Sequence, residues 1–331
     1  MEIRKVQTNA AGTFIVTIPK EWAKNLSIHK GDLVNVELED SDIVISPTKS
    51  KKGSQSKSLS IEEFKDQKIL ELSITASYIQ GHDITEIISK TKIDPDQKRW
   101  VRKAVDGLIG VEIAEDFADR LVLQNLIDPA KFDINELLEK FAETSKAVFQ
   151  DSIRALSKID LSLAQDAYER GEQSIKVYRL LMRLALQAAK SKNVREQMRL
   201  NDISSVIIKI IAIRELGRMA YYAMRIAQHV AEIDKRLDDQ IISIIQKLTR
   251  ISLEMEDQSL AALMRKDLVT ASSLPDMMIQ VRRLYEAAFP LVGKYSGRTA
   301  LAISLIVRDI RAFAGYAVAL ADDAVLGVFE M

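Results

Sequence analysis

RELGRMAYYAMRIA, residues 214–227, matches a later stretch of the same chain, RDIRAFAGYAVALA, residues 308–321. Arg214 falls on Arg308, Glu215 on Asp309 and Leu216 on Ile310, while Ala220, Tyr222, Ala223 and Ala227 fall on Ala314, Tyr316, Ala317 and Ala321. Alanines three and four apart share one helix face, and their small side chains let neighbouring axes approach to around 8 Å. The stretch therefore predicts a closely packed helix, used twice, with the Tyr222 and Tyr316 rings buried.

An earlier pair of helices repeats too. Ser152, Ala155, Leu156, Asp160 and Leu161 match Ser259, Ala262, Leu263, Asp267 and Leu268, and Val177-Tyr178 matches Leu284-Tyr285 in the same registration. The offset shrinks before the last helix, as it must if KSKNVREQMRLND (190–202) is a longer connection in the first copy. After Pro129, apolar residues recur at three- and four-residue spacing with few glycines or prolines, which predicts long amphipathic helices in a bundle. Two three-helix repeats are expected, over 131–239 and 240–331.

Upstream the period changes. Residues 61–130 mix an amphipathic helix around Phe64 to Tyr78, stopped at Gly81, with a strand candidate DITEIIS and a helix beginning at Asp94-Pro95. The strand-like VEIAED and DRLVLQNL follow, so this region reads as a small α/β module. Residues 49–60, KSKKGSQSKSLS, carry four lysines and no acid, the composition of a flexible basic linker.

Residues 1–48 read as a small all-β domain. Phe14, Val16 and Ile18 alternate with Ile15 and Thr17; Val34, Val36 and Leu38 form a second run, and Ile43 with Ile45 a third. Pro19 sits where a first helical residue is expected, and Trp22 and Leu26 give that short helix an apolar stripe.

Composition narrows the function. Lysine plus arginine (47) equals aspartate plus glutamate (47), so any nucleic-acid binding must come from a local patch. The chain has no cysteine, which removes thiolate metal sites and cysteine nucleophiles. The opening MEIRKVQTN lacks a signal-peptide core, and no apolar run nears the length of about 18 residues that a membrane helix needs, so a cytoplasmic protein with no membrane insertion is expected. There is no Gly-rich phosphate loop, nucleophile elbow or pair of histidines on a helix. His29, His82 and His229 have no ligand spacing. No enzymatic activity and no cofactor are expected.

The strand, the turn, VTIPKEWAKNL, the I-x-K-G-D turn and two further strands resemble the SpoVT/AbrB swapped-hairpin DNA-binding domain, in its archaeal variety, over residues 2–48. The resemblance implies an obligate homodimer with interleaved hairpins and a basic face toward double-stranded DNA. The doubled three-helix unit resembles a PhoU domain, a regulator of phosphate uptake, over residues 134–331. Together they imply a DNA-binding regulator of phosphate uptake whose bundle relays phosphate status through a protein partner, a phosphate transporter ATPase or a sensor kinase. A dimeric scaffold docking on the same partners, without DNA, is the alternative. An antitoxin role would predict a short disordered toxin-binding tail, which the long helical half argues against.

The residues expected at DNA are Arg4, Lys5, Lys20 and Lys24 for phosphates, and Gln7, Thr8 and Asn9 for base edges. Seven acids in the same domain (Glu2, Glu21, Asp32, Glu37, Glu39, Asp40 and Asp42) must lie on another face for this to work. The PhoU resemblance also implies an E-x-x-x-D pair on the third helix of each repeat, suited to hard cations. Those positions are Gly217 and Tyr221 in the first copy and Arg311 and Gly315 in the second, so no metal is expected. Glu215 and Asp309, two residues earlier, point about 200° round the helix. Glu172, Asp322 and Asp323 read as scattered, solvated acids. Arg214, Arg218, Arg308 and Arg311 are candidates for anion or partner contacts, with salt bridges to Glu215 or Asp309 as the plain alternative.

Overall fold

A computed structural model describes residues 2–39, 42–48, 56–200, 202–233 and 235–328. The chain divides into two compact units, residues 1–55 and 56–331.

The first unit is a pair of antiparallel hairpins around one short helix. Strands β1 (Gln7–Thr8) and β2 (Phe14–Ile15) pair across a turn. Gly12 takes φ +79° in that turn, a backbone region that a Cβ disfavours. Helix α1 (Lys20–Asn25) follows, with Pro19 at its cap and not inside its first turn. Strands β3 (Val34–Glu39) and β4 (Asp42–Pro47) form the second hairpin. Burial is almost absent here: of the side chains described, Pro19 alone is buried. Phe14 is 75% exposed and Leu33 80%, and the Trp22–Leu26 stripe remains half open at 49% and 47%.

The second unit begins with a four-stranded sheet. Strand β5 (Ser56–Ser60) runs parallel to β6 (Ile84–Ile88) across helix α2 (Gln67–Ile79). Helix α3 (Pro95–Asp106) leads into β7 (Val111–Asp116) and β8 (Arg120–Asn125), giving the sheet order β5-β6-β8-β7. Asp94 and Gln97 close a reciprocal capping box that fixes the start of α3. Leu70, Ile74, Ile87, Val101 and Leu121 meet in the core of this module.

The expected linker ends earlier than its composition suggests, because Ser56–Ser60 is a strand. It occupies the edge of the sheet, where backbone hydrogen bonds to β6 suffice and serines and Lys57 are tolerated. Residues 49–55 lie outside the described residues.

The helical half carries the repeat seen in the sequence. Helices α4 (Ile134–Lys158) and α5 (Leu161–Lys190) lead through a short α6 (Lys192–Gln197) to α7 (Ile203–Val230). Helices α8 (Asp239–Arg265), α9 (Leu268–Val292) and α10 (Gly297–Val328) form the second copy. The duplication extends to the backbone. Both α4 and α8 end in a left-handed residue, Ile159 and Lys266 at φ 55°, and Asp160 and Asp267 then cap the next helix. Ala223 and Ala227 of α7, with Ala314, Ala317 and Ala321 of α10, are buried within the shared core. Phe149 of the first copy meets Phe313 of the second with ring centroids 4.7 Å apart, so the two copies share one interior.

The α/β module is pinned to the bundle by arginines. Arg183 of α5 is fully buried, and its guanidinium donates to the carbonyls of Tyr78 (2.5 Å) and His82 (3.0 Å) while lying over the Tyr78 ring. Burial lowers its pKa, and Asp83 at 3.3 Å offsets part of that cost. Arg179 donates to the carbonyl of Gly107, the residue after α3, at 2.9 Å.

Candidate functional site

In the first unit every residue expected at DNA is exposed. Gln7 and Thr8 form β1, and Asn9 opens the turn that follows. The Asn9 side-chain oxygen accepts from the amides of Ala11 (3.1 Å) and Thr13 (2.9 Å), so that oxygen is spent on holding the turn. Arg4 is ion-paired with Glu2, which offsets its charge. Lys20 and Lys24 lie one helical turn apart on α1, and Lys5 precedes β1. The same unit contains an open, mostly apolar cavity of about 390 Å³ lined by Val16, Ile18, Trp22, Leu26, Ile43 and Ile45, with Glu2 and Arg4 also in its wall.

In the helical unit the four expected arginines separate into two kinds. Arg308 turns onto the neighbouring Asp309, donating through two nitrogens at 2.9 and 2.8 Å. Arg311 lies over the Tyr285 ring at 4.9 Å. Arg214 and Arg218 are exposed on α7 at the edge of a cavity of about 320 Å³.

Asp309 is fully buried and gathers more than the expected neighbour. Arg225 (3.1 Å) and His229 (3.3 Å), both from α7, reach it across the junction of the two copies. Burial pushes its carboxyl up, but hydrogen bonds from His229 and Arg308 and the Arg225 charge outweigh this and hold it below its usual value. Arg225 also donates to the Tyr221 hydroxyl at 3.2 Å, and Tyr222 stacks on Tyr316 at 5.7 Å. These two tyrosines are half-buried, not enclosed. Arg225 was not singled out from sequence, and His229 was read only as a histidine without ligand spacing. Their signal was present as a stripe, Tyr221, Arg225 and His229, at successive four-residue steps.

Asp323 corrects the expectation of a solvated acid. It is 6% exposed on α10, and burial, with Glu215 and Asp322 nearby, pushes its pKa up to about 7. Glu215 is raised by burial as well. Asp322 and Glu172 are exposed, as expected.

The positions of the implied metal motif do not fit a cation. Gly217 is packed against the Tyr178 ring, Arg311 brings a positive charge, and neither Tyr221 nor Gly315 offers a carboxylate. Among the described residues, no group of three or more His, Asp or Glu converges as a metal site.

Two family models match separate stretches of the chain. Residues 12–53 match the model of the bacterial antitoxin MazE, described as antidote-toxin recognition. Residues 138–230 match the PhoU domain model. The chain is thus a multidomain protein with a small MazE/AbrB-like β domain, an α/β module and a mostly helical PhoU-like region. Among solved structures it resembles PhoU from Pseudomonas aeruginosa at 18% identity and a TM-score of 0.52, covering 58% of this chain and 94% of that one. It also resembles the phosphate transport system regulatory protein PhoU from Streptococcus pneumoniae, at 18% identity and a TM-score of 0.50, over 61% of this chain and 98% of that one. At such identities these structures establish the fold. No curated protein matches the chain. Among the described residues, no helix is long and apolar enough to cross a membrane.

Proposed function

We propose that the protein is a DNA-binding regulator of phosphate homeostasis, acting as a homodimer joined through residues 1–48. One observation carries the reading. A unit that leaves Phe14, Trp22, Leu26 and Leu33 open around an apolar cavity has not completed a core within one chain. A second copy of the same hairpins is the complementary surface that its sequence resemblance supplies. Pairing doubles each set of Lys5, Lys20 and Lys24, which meet phosphates, while Gln7 and Thr8 on β1 reach base edges. The backbone-shaping role of Asn9 then presents that ribbon, and Arg4 contributes less than the lysines because Glu2 is bonded to it.

The helical unit relays phosphate status through a protein partner, a phosphate transporter ATPase or a sensor kinase. Support comes from the PhoU domain match and from the likeness to PhoU of the Streptococcus pneumoniae phosphate transport system. A scaffold that dimerises without touching DNA is the competing function.

A gel shift on genomic fragments retained by the purified protein separates the two. The regulator retains DNA upstream of phosphate-transport genes and loses it steeply as salt rises. Uniform background, with no salt-dependent shift, supports the scaffold instead.

A further inference from the structure

The cavity beside Arg214 and Arg218 lies in the first repeat, and the second repeat shows why it is open. Its walls come from Phe141 of α4, Gly171, Ile175 and Tyr178 of α5, and Gly217, Tyr221 and Met224 of α7, with the two arginines at its edge and no carboxylate among its lining residues. The glycines are required by close approach. A Cβ on Gly217 would stand 2.7 Å from the Tyr178 ring, and one on Gly171 2.9 Å from Cβ of Met224.

In the registration that lays Tyr178 on Tyr285, Gly171 falls on Met278. The third-helix registration puts Arg311 at the place of Gly217, Ala312 at Arg218 and Gly315 at Tyr221. The second copy therefore sets the Arg311 side chain against the Tyr285 ring, where the first has bare Gly217 against Tyr178. Its remaining arginine, Arg308, is consumed by Asp309. Among the described residues, Arg214 and Arg218 have no hydrogen-bond or ion-pair partner. Glu215 lies electrostatically close to both, and burial raises its pKa.

We infer that this cavity binds an organic phosphate: a phosphoryl group held by Arg214 and Arg218, and a flat or apolar body inserted between the Tyr178, Tyr221 and Met224 side chains. Residues four apart on a helix stand about 5–6 Å from one another, close enough for two guanidinium forks to share one tetrahedral anion. The volume selects the body. About 320 Å³ lies within the range of small-molecule sites, and a lone phosphate ion would fill a small part of it. The aromatic walls suit a ring such as a nucleobase. This site goes beyond the DNA-binding reading and does not depend on it, since every residue belongs to the helical unit.

Calorimetric titration of the full chain tests it, with AMP and 1-naphthyl phosphate as probes and adenosine and inorganic phosphate as controls. AMP or 1-naphthyl phosphate is expected to bind at least tenfold more tightly than either control. Arg218→Ala, the residue of the second repeat, and Arg214→Gln each weaken that binding at least tenfold. Both arginines are exposed, so the variants keep the melting temperature of the unliganded protein, which serves as the folding control. The inference is overturned if neither organic phosphate binds at millimolar concentration, if inorganic phosphate binds as tightly, or if the variants bind undiminished. DNA retention is scored separately, so failure here leaves the regulator reading standing, and the reverse also holds.

Discussion

The two units of this chain face the same problem, the covering of apolar side chains, and reach opposite states. In the helical unit Phe149, Phe313, Leu138 and Leu181 are fully enclosed by helices of the same chain. In the N-terminal unit Phe14, Leu33, Val36 and Leu38 remain more exposed than not. Size is part of the reason, since a segment of roughly 50 residues has too much surface for its volume to finish a core unaided. The helical unit covers its apolar side chains within one chain, and the N-terminal unit leaves its own open. Substitutions in the two units should therefore fail in different ways.

The largest effect is expected at the seam of the self-sufficient unit. Arg183→Ala leaves the carbonyls of Tyr78 and His82 without their buried donor and empties the space under the Tyr78 ring. Denaturant unfolding should show a loss of about 3–5 kcal/mol. A loss below about 1 kcal/mol would mean that the module and the bundle are not energetically joined there.

Trp22→Asp attacks the other unit. A charge placed on the open apolar cavity should lower DNA affinity at least a hundredfold while leaving the helical melting transition in place. A parallel fall in both readouts would erase the contrast between the units. Smaller again is Lys20→Ala with Lys24→Ala. In a dimer this removes up to four phosphate contacts, so affinity should fall about tenfold and the log–log salt slope should become shallower by roughly 3–4.

The smallest effect concerns acids inside the bundle. Asp323, raised from 3.8 to about 7, binds a proton in the folded state that the unfolded chain has released. Its stabilising share is therefore full below about pH 4 and is lost as pH rises toward 7. Glu256 acts in the same direction, since burial raises it well above its usual value and neither of its oxygens has a partner among the described residues. Asp323→Asn with Glu256→Gln should raise the melting temperature by a few degrees at pH 8, and change it little below about pH 4. An unchanged pH profile would remove these two carboxyls from the stability of the bundle.

The contrast also explains what could be read from the sequence. The repeat at 214–227 was legible because close helix packing demands small residues at fixed spacing, and that demand recurs at 308–321. The α/β elements were legible through their periods and through the Asp94-Pro95 start. Strand β5 was not, because an edge strand needs backbone partners and offers Leu59 as its one apolar residue. Arg183 was not, because its partners are carbonyls of residues 78–82, distant in the chain and without a side-chain signature. Asp323 read as a surface acid, and Glu256 was not singled out, since a protonated carboxyl in a core looks the same in sequence as a solvated one. The cavity became visible on comparing the copies, where Gly217 faces Tyr178 and Arg311 covers Tyr285.

The central claim is that the N-terminal unit completes itself on a second copy. The direct measurement is the solution mass of the full chain at micromolar concentration, by sedimentation equilibrium, beside that of Trp22→Asp. Twice the chain mass for the native protein and a single chain mass for the variant, with helical melting intact, is the predicted result. A native protein that sediments as one chain, or a variant that stays paired, would contradict it.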